Sequence, residues 1–441
     1  MGLRISAFVE RVRSSLFFVP MLFVIAGGAA AYGMLELDTA VGEGATDLPF
    51  VLMSTVEGAR EILGVVASAT ITVAGIAFSV SLLVIQQASS QFSPRVVHSL
   101  FRDPFNRRVM GLSVGTFTYC LIVLRAVRGS LDDGIEPVIP NLAVGMSVIL
   151  GVVSILGIVA FIDHNAHTLD VSQILSNVTA ETAGQIERTW AEPGEGERGG
   201  DADALLPPGP GHTIVFARRG WLQQLSSERL FELVPAGGTV RLETAVGRYA
   251  VKGTPLCTVW PAPSDPAVAK EQADDAVQLG PARTMQQDPS YGLRQLADVA
   301  LIALSPGVND PTTAQEAIFH LAAVLREALV RDPPPRVEHD DEGRRLLRPE
   351  DHSHETLVEL AFDEIRRMAT DMPTVCIYMF EALRLLEEAV KDAGLSHRAS
   401  PVRAQADQVL AGAERAELLP GDLRLVRAAY QRRFGGTTSS T

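Results

Sequence analysis

The sequence predicts a mixed architecture: a four-helix transmembrane region followed by a cytoplasmic stalk, a small all-β barrel-like module and an α-helical domain. Three observations predict it. Charge-free apolar runs of bilayer width recur in the first third of the chain. Between His212 and Trp260 the apolar period becomes two, and after Ser264 it becomes helical. The expected boundaries are 1–163 for the transmembrane region, 164–211 for a stalk helix and flexible linker, 212–262 for the β module, 263–434 for the cytoplasmic helical domain and 435–441 for a disordered tail.

The run from Leu63 to Ile85 is the clearest crossing. About 23 residues without a charge reach across a ~30 Å hydrocarbon core at roughly 1.5 Å per residue. The four predicted crossings are 16–35, 63–85, 109–124 and 142–162. Arg4, Arg11 and Arg13 precede the first crossing, acids fill the first loop, and Arg95, Arg102, Arg107 and Arg108 fill the second. Arginines retained on the inner face place both termini in the cytoplasm.

Past Asp163, Val171, Ile174, Leu175 and Val178 recur at spacings of three and four, as in a stalk helix leaving the fourth crossing. The Gly-, Pro- and acid-rich stretch 192–211 reads as a linker. Short strands are expected at 213–216, 221–225, 231–234, 239–242, 249–251 and 256–259, punctuated by glycines and Pro235. Beyond them, Asp265-Pro266, Asp288-Pro289 and Asp310-Pro311 share one device: an aspartate to cap orphan amides and a proline suited to the first helical position. Residues 333–348 read as a loop or charged hairpin turning at Asp341-Glu342-Gly343, with further helices at 354–370, 374–392, 401–415 and 421–434.

The net charge is −14. Residues 1–165 hold ten arginines and twelve acids, so the remainder carries −12. That acidic half is unsuited to gripping nucleic acid through its phosphates. Cys120, Cys257 and Cys376 are far apart and lack metal-ligand spacing, so buried free thiols are expected. His339, His352 and His354 sit among acids without such spacing either. No metal site, cofactor or catalytic group is read from the chain, and no enzyme motif is present, so an enzyme is not expected.

Three strings carry a resemblance: Gly75-Ile-Ala-Phe-Ser-Val80 with Ser89-Ser-Gln-Phe-Ser-Pro-Arg95; Gly115-Thr-Phe-Thr-Tyr119; and Asp288-Pro-Ser-Tyr-Gly-Leu-Arg-Gln-Leu-Ala-Asp298 running into Ala303-Leu-Ser-Pro-Gly-Val-Asn-Asp-Pro311. Together they resemble a bacterial family of predicted integral membrane proteins, catalogued as domain of unknown function twenty-two fifty-four. The resemblance spans nearly the whole chain. It implies four crossings and a cytoplasmic region, and no activity or site residue.

Two places are candidate sites. Ser68, Thr72, Gly75, Ser79 and Gln86 fall on one helical stripe, interrupted by Leu82. It is either a water- or ion-lining face in a homo-oligomer or a surface for close helix packing. The second place is the segment holding Asp288, Arg294, Asp298, Gly307, Asn309 and Asp310. It reads as a site for a small anionic ligand or as a structural corner, with Arg294 and Asp298 paired four residues apart and Gly307 in an unusual backbone conformation. The expected function is a homo-oligomeric channel- or transport-like protein with a cytoplasmic regulatory domain. The alternative is a membrane-anchored sensor or scaffold without a pore.

Overall fold

The computed structural model describes residues 18–42, 55–91, 104–127, 139–168, 170–194, 205–349 and 353–435. Several expectations lie outside them: the basic N-terminal residues, Arg95 and Arg102, half of the linker, His352 and all of the tail beyond Gly435. The chain forms two units, Met1–Asp170 and Val171–Thr441.

The first unit holds α1 (Phe18–Gly42), α2 (Val56–Gln91), α3 (Pro104–Ala126) and α4 (Asn141–Thr168). Each is long and apolar enough to cross a membrane. The predicted third crossing, the shortest run in the sequence, belongs to the helix that buries the largest share of its span, α3. It packs against α1, α2 and α4. Small residues make this possible. A Cβ on Gly27 would stand 2.3 Å from the Gly115 carbonyl oxygen, and one on Gly115 would stand 2.6 Å from that of Phe23. Gly111 admits the Phe23 ring in the same way. Gly111 and Gly115 form a Gly-x-x-x-Gly pair, which brings helix backbones together where lipid supplies no hydrophobic drive.

Polar bonds close the ends of this bundle. The Asp38 carboxylate on α1 accepts from the Leu142 and Ala143 amides, 2.8 Å each, at the start of α4. Arg60 donates to the Val127 carbonyl just past α3, at 3.2 Å. The Asn106 and Asn165 amides pair reciprocally at 3.1 Å. Deeper in, the Tyr119 hydroxyl donates to the Ala143 carbonyl at 2.8 Å, and Thr116 and Ser154 hydroxyls lie 3.3 Å apart.

The second unit is mixed α/β. Its first helix, α5 (Val171–Thr189), buries Ile174, Leu175, Val178 and Ile186 and packs on two later helices of the same unit. Eight strands follow among the described residues: β1 (His212–Val215), β2 (Gly220–Leu225), β3 (Thr239–Leu242), β4 (Tyr249–Ala250), β5 (Pro255–Trp260), β6 (Val277–Gly280), β7 (Val337–His339) and β8 (Arg345–Leu347). They form two sheets, ordered β1-β5-β3-β8-β7 and β4-β2-β6. All pairs are antiparallel except β3 with β8.

The expected barrel-like module is therefore corrected: the described residues form no closed barrel. Closure requires the outer strands to pair, whereas β1, β7, β4 and β6 each have one neighbour. Strands from beyond residue 262 complete both sheets instead. The predicted charged hairpin supplies β7 and β8, and β6 follows the helix that opens at Asp265-Pro266. The strand expected at 231–234 is also absent. Helix α6 (Ser227–Phe231) occupies its start because Ser226 caps it, accepting from the Arg229 amide at 3.4 Å. Local capping there outweighs a short apolar run.

The remaining helices are α7 (Pro266–Asp275), α8 (Pro289–Ala303), α9 (Pro311–Leu329), α10 (His354–Met368), α11 (Pro373–Asp392), α12 (Ser400–Arg415) and α13 (Pro420–Phe434), with a short 3-10 turn at Ser396–Ala399. Asp265 and Asp310 cap α7 and α9 as read from sequence. Leu293, Leu296, Leu321, Leu325, Phe362 and Phe380 are fully buried between the helices.

Gly115→Val tests the close helix crossing. The added side chain should destabilise the bundle by about 1–3 kcal/mol, seen as a lower melting temperature in detergent. An unchanged melting temperature contradicts the crossing.

Candidate functional site

The polar stripe is turned away from its own bundle. Helix α2 buries Ala59, Leu63, Ala67, Thr70, Ala74 and Ala77 along one side. Ser68, Thr72, Gly75, Ser79 and Gln86 are exposed on the other. A Cβ on Gly64 or Gly75 would meet nothing within 4 Å. Two of the stripe's hydroxyls bond within the helix. Thr72 donates to the Ser68 carbonyl at 2.7 Å and Ser79 to that of Gly75 at 2.9 Å. From Ser68 to Ser79 the stripe is therefore a row of small residues, with the Thr72 and Ser79 hydroxyls bonded internally, bordered by exposed Ile71, Ile76 and Phe78.

The second candidate separates into two places. Asp288 precedes α8, whereas Gly307, Asn309 and Asp310 follow it. A 15-residue helix holds these ends roughly 22 Å apart at 1.5 Å per residue. Asp288 is fully buried and does not cap α8 through its side chain, a correction to the shared capping device. It accepts from Arg283 at 2.6 and 3.0 Å and from the Ser290 hydroxyl instead. The Arg283 guanidinium also lies 5.9 Å from the Trp221 ring and 5.1 Å from that of Tyr291. Gly247, at φ 85°, brings its backbone against the Asp288 carboxylate, where a Cβ would stand 2.1 Å away. This cluster ties the three-stranded sheet to the start of α8.

Midway along α8, Arg294 bonds Asp298 at 2.8 Å, as the four-residue spacing predicts, and reaches Glu364 on α10 at 2.6 Å. At the far corner, Asn309 rather than Gly307 takes the left-handed backbone, with φ 50°. Asparagine tolerates that region through its short polar side chain. The Val308 and Asn309 amides donate to the Ser305 carbonyl and the Asp310 amide to that of Ala303. The Asp310 carboxylate accepts from the Thr312 and Thr313 amides at 3.1 Å and from the Thr313 hydroxyl at 2.6 Å. Those Thr313 bonds hold its acidity stronger than usual. Both corners are thus bonded inward.

A place missed by sequence reasoning is a cavity of about 690 Å³ in the second unit. It lies among the ends of α5, β2 and β3, the start of α10 and the 3-10 turn, and its volume suits a small molecule. Trp190, Leu225 and Leu242 give it apolar walls, and Arg336, Arg348 and Arg398 give it cationic ones. Acids accompany two of these cations. Arg348 pairs with Glu338 at 2.8 Å, and Arg398 pairs with Asp332. Arg398 also donates to the Leu329 and Arg331 carbonyls at 3.0 and 2.7 Å, capping α9 together with the His354 ring. Burial, and then the nearby Arg398 charge, lower the His354 pKa. No sequence spacing signalled the cavity, because its walls come from eight separate stretches of the chain. Among the described residues, no group of three or more His, Cys, Asp or Glu is placed to hold a metal ion.

The family model described as "Predicted membrane protein (DUF2254)" matches residues 13–385. The chain belongs to this family. An uncharacterised protein of Mycobacterium bovis is 30% identical over 434 residues, covering 97% of this chain and 82% of the relative. Uncharacterised proteins from two strains of Mycobacterium tuberculosis match to the same extent. No solved structure matches the chain. The family match covers every crossing, both sheets, and α8 to α10 in full. Helices α12 and α13 lie beyond its end.

Removing the Asp288 carboxylate should leave the Arg283 guanidinium without its buried counter-charge. Asp288→Ala is expected to cost about 3–5 kcal/mol, measured by thermal or denaturant unfolding, whereas a change under 1 kcal/mol contradicts the buried-pair account. Acid should weaken the second unit in a separate window. His354 and His320 have folded pKa values below the ordinary 6.5, chiefly through burial. Above that value both states are neutral there and nothing is lost. As pH falls through it, the unfolded chain gains protons that the folded chain resists, so stability drops. The melting temperature should fall between pH 7.5 and pH 5.5, and less steeply in a variant carrying His354→Gln and His320→Gln. Equal slopes would remove the histidines as the cause.

Proposed function

We propose that this family member acts as a homo-oligomer in the bacterial inner membrane, of channel- or transport-like type, with the second unit as its cytoplasmic regulatory part. The observation that carries the reading is the outward placement of the α2 stripe. Lipid gains nothing from a row of small, hydroxyl-bearing residues, whereas a second copy can approach closely along it. Four helices of one subunit, already packed through Gly27, Gly111 and Gly115, leave that face for a neighbour. The 690 Å³ cavity offers a place where a small ligand can bias the assembly. The arginine bias of the sequence supports cytoplasmic termini.

A membrane-anchored sensor or scaffold without a pore is the second reading. It is favoured by the Thr72 and Ser79 hydroxyls, which bond to their own helix rather than presenting oxygens to water or ions.

The detergent-purified chain of 47.3 kDa should have the mass of a multimer once bound detergent is subtracted. A strict monomer overturns the reading. Reconstituted multimers should pass ions or small solutes, and Ser79→Leu should suppress most of that flux. An intact multimer whose flux is absent, or is indifferent to this substitution, points to the scaffold.

A further inference from the structure

The acidic second unit carries a basic surface on its strand region, and neither of its candidate sites accounts for it. Residues 212–262 contain six arginines and lysines against three glutamates, a net +3. The rest of the chain after Asn165 carries −15. The positive charge gathers at one edge of the three-stranded sheet. Arg218, Arg219 and Lys252 line a single shallow concavity with Tyr249 and Val251. Arg248, next in sequence to Tyr249, is exposed as well. Asp274 pairs with Arg218 at 3.1 Å and is the one acid brought to these cations by an ion pair among the described residues.

The apolar members are unusual in their placement. Tyr249 is 51% exposed and Val251 52% exposed, whereas Ile214, Phe216, Leu222, Val240, Leu256 and Val259 fill the core between the strands. The turn that presents them is fixed. The Thr254 amide donates to the Val251 carbonyl at 3.0 Å, and Gly253, at φ 89°, supplies the left-handed residue that a tight turn requires. The Tyr249 ring rests edge-on against Trp221, 5.4 Å between centroids. The fold therefore holds an aromatic and an aliphatic side chain outward on a rigid turn, ringed by cations.

We infer that the Arg218–Arg219 and Arg248–Lys252 edge docks on the anionic phospholipid surface of the bilayer in which the chain is embedded. Arginine and lysine are drawn to such a surface by its negative potential. An aromatic ring and a short aliphatic group suit the interface where headgroups meet acyl chains. The second unit starts at Val171, three residues after α4 ends. The covalent tether thus keeps the local concentration of lipid high, and a modest patch suffices for docking. A soluble polyanion such as RNA shares the charge but gives no use to an outward valine, and the remainder of the unit is net acidic. The inference holds whether or not the chain forms a pore.

The test is backbone hydrogen exchange on the full chain in nanodiscs of neutral phosphatidylcholine, compared with discs containing about a third phosphatidylglycerol. The amides from Arg248 to Thr254 should exchange several-fold more slowly in the anionic discs. Salt near 0.5 M, where the Debye length falls to roughly 4 Å, should remove the difference. Arg219→Gln with Lys252→Gln should remove it at low salt, and Tyr249→Ser with Val251→Ser should reduce it. All four positions are exposed, and the neutral-disc exchange pattern reports that the variants stay folded. Equal exchange in the two kinds of disc overturns the inference. So does protection seen only when an RNA oligonucleotide is added to neutral discs.

Discussion

A peptide group in hydrocarbon must find its hydrogen bond within the protein, since each one left open costs several kcal/mol. That constraint shapes the first unit. It makes helices of the apolar runs, and it then acts where helices end and amides or carbonyls lose their intrahelical partners. Asp38 answers it at the start of α4, and Arg60 answers it just past α3. Between these ends the bundle has no hydrophobic drive of its own, so contact depends on shape. The approach of Gly27 to Gly115 and the seat of Phe23 over Gly111 supply it.

The second unit obeys the ordinary rules of a core surrounded by water. Its sheets are small and open, so their stability comes from what is laid on them. Helices α6 and α7 cover the five-stranded sheet through Leu230, Phe231, Ala269 and Ala273. The buried Arg283–Asp288 pair and the Gln287 side chain, which bonds both the amide and the carbonyl of Leu225, stitch the approach to α8 onto β2. Arg294, between Asp298 and Glu364, makes a second, more exposed link of this kind, joining α8 to α10.

Much of this was legible in the chain. The four candidate membrane helices follow from charge-free length, α8 and α9 start at their Asp-Pro signals, and α11 to α13 fall within about two residues of their predicted bounds, because such signals and the helical period act locally. The barrel was misread because strand pairing is decided far along the chain: β3 takes β8 as a parallel neighbour from a hairpin about a hundred residues away. At 231–234 a Ser226 cap five residues upstream overrode the apolar period. The Gly111-x-x-x-Gly115 spacing was a readable signal for the α1–α3 crossing that apolarity alone hid. The stripe on α2 was visible as a stripe, but its direction was not, since periodicity gives a face without saying what it meets. The cavity left no sequence trace, and the Asp288 to Asp310 segment, continuous in sequence, is split by the length of one helix.

The account rests on the first unit residing in lipid, with its four helices crossing rather than lying on the membrane. Alkaline carbonate washing of membranes containing the full chain tests this most directly. The protein should remain in the pellet and leave it only when detergent is added. Recovery of the intact chain in the carbonate supernatant would contradict the account.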